Sequence, residues 1–202
     1  MPPILFATGN QGKLAEAKRI LGANDIQVIS PQEYDLEHQA DLTNLEIAET
    51  GQTLDANAQL KAQAFAHQAE LDTFADDTGL MITALSDFPG VKSDRWTEGT
   101  PDQKNRALLV KMNDITNRQA KFVTVICFYS FNQARPYFFR GEVQGSISQE
   151  IRGIHGFGYD SVFIPQNYSQ TFAELGDKVK DKISHRQRAL VKLRDFLRSR
   201  ED

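Results

Sequence analysis

The stretch that most constrains this chain is Phe74-Ala75-Asp76-Asp77-Thr78-Gly79-Leu80-Met81-Ile82-Thr83-Ala84-Leu85, in which an apolar run enters two adjacent carboxylates and leaves as a second apolar run. Asp-Thr-Gly favours a turn, and neighbouring residues of an extended segment point to opposite faces. A turn is therefore expected here, with at least one carboxylate standing at a sheet end and facing a cleft. Mg²⁺ suits such a pair, because it takes hard oxygen ligands, commonly one or two carboxylates, and completes its shell with water and substrate phosphates. A solvated acidic turn is the competing reading, and the pair alone does not separate the two.

The chain has 202 residues, 40% of them hydrophobic and 25% charged, enough for one extended globular domain spanning residues 1–202. Its longest apolar stretch, around Phe122 to Phe131, is too short for a membrane span and lacks the flanks of a signal peptide. A cytoplasmic protein with no membrane partner is expected. The single cysteine, Cys127, cannot form an intramolecular disulfide and reads as a small buried hydrophobe. A formal net charge of -4 excludes a general electrostatic footprint for nucleic acid, so an anionic ligand must be held by a local cluster.

The first such cluster follows the strand-like Ile4-Leu5-Phe6-Ala7. Thr8-Gly9-Asn10-Gln11-Gly12-Lys13 leads into a helical stripe of Leu14, Ala17 and Leu21, so backbone N–H groups, a helix N-terminus, a hydroxyl and an ammonium come together. The spacing is not that of a P-loop, and an ordinary strand-to-helix turn with a surface lysine has the same appearance. Ile26 to Ser30 reads as a second strand. Pro31 to Glu49 shows no periodicity and carries six acidic residues, of which Glu49, just before Gly51, could give a second oxygen ligand; Glu46 has an equal claim. Thr53 is placed to cap a helix running to about His67, with Leu54, Ala58, Ala62 and Phe65 as its apolar stripe. Asn57 and Lys61 share a face at its margin, where a lysine stem packs while its ammonium reaches an anion.

Downstream, Asp87-Phe88-Pro89-Gly90 is a turn signal. Thr100-Pro101-Asp102-Gln103 has the spacing of a capping box before a helix to about Met112. Lys121 to Phe131 and Pro136 to Glu142 read as a hairpin, with Gly145 to Ser148 extending it. In Gly153-Ile154-His155-Gly156-Phe157-Gly158-Tyr159-Asp160, glycines interleaved with aromatics let backbone approach a flat ligand on which a ring can stack; a tight loop capping the core is the alternative. The last helix opens at Ser184-His185-Arg186-Gln187 and buries Ala189, Leu190, Leu193, Phe196 and Leu197. Cations are disfavoured in a first helical turn, which points to a ligand that offsets them. Lys178, Lys180 and Lys182 add positive charge upstream, where a solvated basic loop is the default reading.

In order along the chain these blocks are Ala7 to Lys13, Glu49-Thr50-Gly51, Asn57-Ala58 with Lys61-Ala62, Ala75 to Leu80, Pro89-Gly90-Val91 with Arg95, Gly156 to Asp160, and Ser184-His185-Arg186. Together they resemble the inosine triphosphate pyrophosphatases, also called non-canonical purine NTP pyrophosphatases, over essentially the whole chain. The resemblance implies an elongated α/β fold, two lobes around a long mixed β-sheet with flanking helices and an active cleft between the lobes, in a homodimer. It implies hydrolysis of ITP, dITP or XTP to monophosphate and pyrophosphate, with Asp77 as the catalytic carboxylate and Glu49 with Asp77 holding Mg²⁺. Thr8, Gly9, Asn10, Gln11, Gly12, Lys13, Lys61, Thr78 and Lys180 are implied around the triphosphate, and Phe157, Gly158, Tyr159, Asp160, His185 and Arg186 in the nucleoside pocket. Related septum-formation pyrophosphatases begin with Ser-x-Arg-Arg, which Thr8-Gly9-Asn10 replaces here. Four positions depart from the family pattern: Thr78 for serine, Ser161 for proline, Asp94 for a small residue, and Ala56 where many relatives have glutamate. The last leaves a catalytically impaired nucleotide-binding or sensing module as the alternative function.

Overall fold

Two apolar faces alternate along the strands of the first part of the chain, and their alternation sets the architecture. The computed structural model describes residues 2–200. Its strands are β1 (Ile4–Phe6), β2 (Val28–Ile29), β3 (Thr73–Ile82), β4 (Phe88–Gly90), β5 (Gln119–Ser130), β6 (Arg135–Ile147) and β7 (Phe163–Pro165). They form one sheet in the order β2-β1-β3-β5-β6-β7, with β4 paired to β3. The sheet is mixed: β1 pairs with β2 and β3 in parallel, whereas β4 on β3 and β7 on β6 are antiparallel.

By contact density the chain forms two compact units, residues 1–77, 124–141 and 186–202 in the first and 78–123 and 142–185 in the second. In the first unit Phe6, Phe74, Ile126 and Phe128 face a core shared with α1 (Gln11–Gly22) and α7 (His185–Arg198). Their neighbours Leu5, Ala7, Ala75, Cys127 and Tyr129 face the opposite core, shared with α3 (Leu54–Ala69). Strand alternation thus gives a helix–sheet–helix sandwich. Alanines at 58, 62, 66 and 69 keep α3 close to the sheet. In the second unit Leu80, Ile82, Ala120, Phe122, Val143 and Ile147 present one sheet face to Leu108 of α4 (Pro101–Lys111), to its C-cap Met112, to Phe163 and to Phe172 of the short α5 (Phe172–Leu175).

Local signals held where they were strong. Thr53 caps α3 through Ala56 N, and Thr100 and Gln103 close a reciprocal capping box at α4. Two expectations are corrected. The turn at Asp77-Thr78-Gly79 does not form: β3 runs unbroken through the acidic pair, paired with β1 at one end and β4 at the other, and the chain reverses later at Ser86 and Asp87, both with positive φ. Pairing across the sheet outweighs a local turn preference. The segment after Ser30 is not irregular throughout, because α2 (Pro31–His38) forms there. Its Ser30–Glu33 capping box and Pro31 initiate a helix that buries only Pro31, so no apolar period advertises it.

Candidate active site

The continuous β3 puts its two aspartates on opposite faces, and each face supplies different company. Asp76 faces α1 and α7. Its Oδ1 accepts from Lys13 Nζ at 3.0 Å and its Oδ2 from Arg186 Nε at 3.2 Å and Nη2 at 3.0 Å, while Arg186 Nη1 donates to Glu16 Oε2 at 2.6 Å. Burial alone raises the Asp76 carboxyl, but the charges of Lys13, Arg186 and Lys61 hold it well below the usual carboxylate range. Asp76 is a structural anion.

Asp77 faces α3. Its Oδ2 accepts from Asn57 Nδ2 at 3.0 Å, and its Oδ1 lies 3.9 Å from Lys61 Nζ. Lys61 also donates to Glu49 Oε1 at 2.6 Å and to the Asp76 carbonyl at 2.8 Å. Burial pushes the Asp77 carboxyl up, and the Glu49 charge adds to it, against the opposing pull of Lys61 and Asn57. A carboxyl raised by burial beside a lysine, in a protein whose neighbouring aspartate is strongly depressed, has the pattern of an acid–base group.

The approach of Glu49 to this cluster depends on a glycine. Gly51 N donates to Asn57 Oδ1 at 2.8 Å, and a Cβ at Gly51 would lie 2.5 Å from that oxygen and 2.8 Å from Ala56 Cβ. Only a residue without a side chain lets the Glu49 segment lie on the first turn of α3. Asn57 is therefore clamped between Gly51 and Asp77 and orients the carboxylate. Ala56 does not cost the helix its cap, since Thr53 still accepts from Ala56 N at 3.1 Å.

Glu49 and Asp77 fit the metal pair expected from the sequence in one respect: both carboxylates converge on a single cation, Lys61, as hard oxygen donors at a Mg²⁺ would. No group of three or more His, Cys, Asp or Glu side chains is placed to hold a metal among the described residues, so a cation here depends on water and phosphate oxygens for the rest of its shell.

The loop from Thr8 to Lys13 is a strand-to-helix turn closed by its own side chains, with the Lys13 ammonium paired to Asp76. Asn10 caps α1 by accepting from Lys13 N at 3.0 Å, and Thr8 Oγ1 accepts from Asn10 N at 3.2 Å. Gly9, Asn10 and Gln11 are exposed, and a Cβ at Gly9 would meet nothing within 4 Å. The space on the Cβ side of Gly9 is therefore open.

In the second unit, Asp160 Oδ2 accepts from Phe157 N at 2.8 Å and from Lys180 Nζ at 2.5 Å, and that ammonium lies 4.2 Å from the Phe157 ring centroid. The Tyr159 hydroxyl donates to the Ser93 carbonyl and accepts from Trp96 Nε1, both at 2.6 Å. The segment from Gly156 to Asp160 is thus a braced loop that leaves Phe157 partly exposed.

Three placements correct the sequence reading. Lys180 belongs to α6 (Asp177–Ile183) rather than a solvated basic loop, and its 2% exposed side chain pairs with Asp160 instead of standing open to a triphosphate. His185 is 3% exposed and stacks on Phe122 at 4.5 Å, as part of the wall of the second core. Arg186 is not presented as an open donor for a base: its guanidinium is buried and every nitrogen donates to Asp76 or Glu16. These carboxylates, not a ligand, offset its charge at the start of α7. Thr78 follows Asp77 on β3, half-buried. Sequence reading did not assign Asn57, Asp76 or Glu16 to the site. A buried-side asparagine one turn from Lys61 signalled the first, and nothing local signalled Glu16.

A model of the Ham1 family matches residues 4–196. The chain belongs to the Ham1 family. Relatives of this Ham1 protein include the dITP/XTP pyrophosphatases of Aquifex aeolicus, 41% identical, and Porphyromonas gingivalis, 40% identical, each alignment covering 98% of both chains. Among solved structures, the Ham1 protein of Coxiella burnetii superposes with a TM-score of 0.85 at 35% identity, covering 98% of this chain and 100% of that one. The Ham1 protein of Staphylococcus aureus gives 0.83 at 34% identity, covering 98% and 99%.

Proposed function

We propose that this chain hydrolyses the non-canonical purine nucleoside triphosphates ITP, dITP and XTP between the α and β phosphates, releasing monophosphate and pyrophosphate. The observation that carries the reading is the divided acidic pair, in which Asp76 is neutralised by Arg186 and Lys13 while Asp77 is raised beside Lys61 and Glu49. The relatives named as dITP/XTP pyrophosphatases support it over their full length. Asn57 fixes the plane of the Asp77 carboxylate through Oδ2, and Oδ1 takes the proton of the attacking water. Lys61 and Lys13, with the N–H groups of Gly9, Gln11 and Gly12, bind phosphate oxygens and offset their charge. Glu49 and Asp77 would hold a Mg²⁺, which when bound would add charge neutralisation on the phosphates. Phe157 stacks on the purine, with Gly158, Tyr159 and Asp160 shaping its surroundings and Lys180 bracing Asp160.

The family model covers parts of both compact units, which supports a single catalytic domain over residues 1–202. We further assign it a homodimeric state and a cytoplasmic location. No helix among the described residues is long and apolar enough to cross a membrane.

The test is product analysis with ITP, XTP, dITP, ATP and GTP in Mg²⁺. Pyrophosphate is expected from the first three at rates far above ATP, and orthophosphate as the sole primary product sinks the reading. A pH profile gives a second check. Because burial raises Asp77 and the base must be ionised, the acid limb of kcat/KM for the free enzyme is expected above the ordinary aspartate value of roughly 3.9. A limb at or below that value rules out Asp77 as the titrating base.

A further inference from the structure

Asn105 lies on α4, on the face that carries Leu108 into the second core, and is 2% exposed. An asparagine is a poor choice there: its helix propensity is below that of leucine, and its Oδ1 has no hydrogen-bond partner among the described residues. A buried acceptor left unpaired is a cost that an apolar residue avoids. What the carboxamide does instead is donate twice. Nδ2 lies 2.9 Å from the Gly158 carbonyl and 3.0 Å from Ser161 Oγ, so one side chain ties both ends of the Gly158-Tyr159-Asp160-Ser161 segment to α4. The opposite orientation of the amide sets Oδ1 against the Gly158 carbonyl, acceptor against acceptor, and the donor assignment follows from that.

Gly158 has φ +61, a conformation that side chains rarely adopt, and a Cβ there would meet nothing within 4 Å. The glycine is required by the backbone bend rather than by crowding, and the turn itself is closed by Asp160 N donating to the Phe157 carbonyl at 3.2 Å. The other ties in the loop fix other atoms. Asp160 holds Phe157 N and Lys180, and Ser93 and Trp96 hold the Tyr159 hydroxyl. Asn105 fixes the peptide immediately after Phe157–Gly158. The Ser161 hydroxyl receives its second hydrogen.

We infer that Asn105 is a positioning residue for purine binding, acting through the Gly158 carbonyl to hold Phe157 at its stacking angle. This rests on the assignment of Phe157 to the purine. Steady-state kinetics on ITP, with inorganic tripolyphosphate as a competitor that carries phosphates but no base, test it in Asn105→Ala, Asn105→Asp and Phe157→Ala. Asn105→Ala is expected to raise KM for ITP about tenfold with kcat changed less than about threefold, leaving inhibition by tripolyphosphate unaltered. Asn105→Asp, of the same shape but with an acceptor facing the Gly158 carbonyl, should raise KM at least as much, and covers the case in which the alanine variant does not fold. Equal weakening of ITP and tripolyphosphate, or a fall in kcat at constant KM, overturns the inference. Raised KM in Phe157→Ala with normal KM in both Asn105 variants refutes Asn105 alone. Normal KM in Phe157→Ala refutes the purine assignment and the inference with it.

Discussion

Asp77→Asn is expected to reduce ITP hydrolysis by about 10²–10⁴-fold, the usual worth of a positioned general base, while the protein stays folded. The amide keeps the shape of the carboxylate, and its oxygen can still accept from Asn57 in place of Oδ2, with its NH2 group then standing where Oδ1 lay. What it loses is the proton acceptor and one negative donor for the cation. Stability should move the other way from activity. A carboxyl whose folded pKa is raised binds its proton more tightly in the native state than in the unfolded chain, so stability falls as pH rises from the unfolded value through the folded one. At neutral pH the ionised Asp77 therefore works against the fold, and its replacement by a neutral isostere is expected to leave the urea midpoint at pH 7.5 unchanged or higher. A variant both inactive and clearly less stable would mean that Asp77 is a structural carboxylate like its neighbour, and the division of the acidic pair would be lost.

That division was half legible in the sequence. Period-two alternation places Asp76 and Asp77 on opposite faces whatever the fold, and Asn57 with Lys61 on one helix face is equally a matter of spacing. The helix caps at Thr53 and Thr100 were readable for the same reason, since each is closed within three residues. The partners of Asp76 were not readable. Arg186 is 110 residues away from it and 170 from Glu16, and only the pairing of β1 with β3 and the docking of α1 and α7 on one sheet face bring the three together. The positive charge at the start of α7 reads from sequence as a ligand site, and it is offset instead by Asp76 and Glu16, because sequence cannot distinguish a carboxylate of the chain from a ligand. The turn expected at Thr78-Gly79 failed for a related reason: its local preference is worth less than a strand paired at both ends, and those pairings are set by residues elsewhere.

Arg186→Ala is expected to cost about 3–5 kcal/mol of stability at neutral pH, because removing one member of a buried ionic cluster leaves the others desolvated without compensation. Asp76 and Glu16, both buried, lose their shared guanidinium, while Lys13 stays at 3.0 Å from Asp76. The pH dependence identifies the mechanism. A carboxylate depressed in the folded state contributes stability that is fully present above its unfolded value, roughly 3.9, and is lost only as pH falls through the folded value. Without Arg186 the folded value of Asp76 rises, so the variant reaches its protonated, less costly form at a pH where the parent still holds the ion pair. The gap between the two proteins should therefore be widest near pH 7 and narrow towards pH 4 in urea titrations; a constant gap would point to lost packing instead. Combining Arg186→Met with Asp76→Asn and Glu16→Gln, which removes the guanidinium and both of its carboxylates together, should recover much of the loss, less what the Lys13 ammonium gives up with Asp76, since a buried ion cluster and a well-packed neutral substitute are often of similar stability. Kinetics on the folded fraction of Arg186→Ala then address selectivity separately. An unchanged ratio of ITP to ATP turnover confines Arg186 to clamping β3 against α1, whereas a narrowed ratio gives the same side chain a second task at the purine.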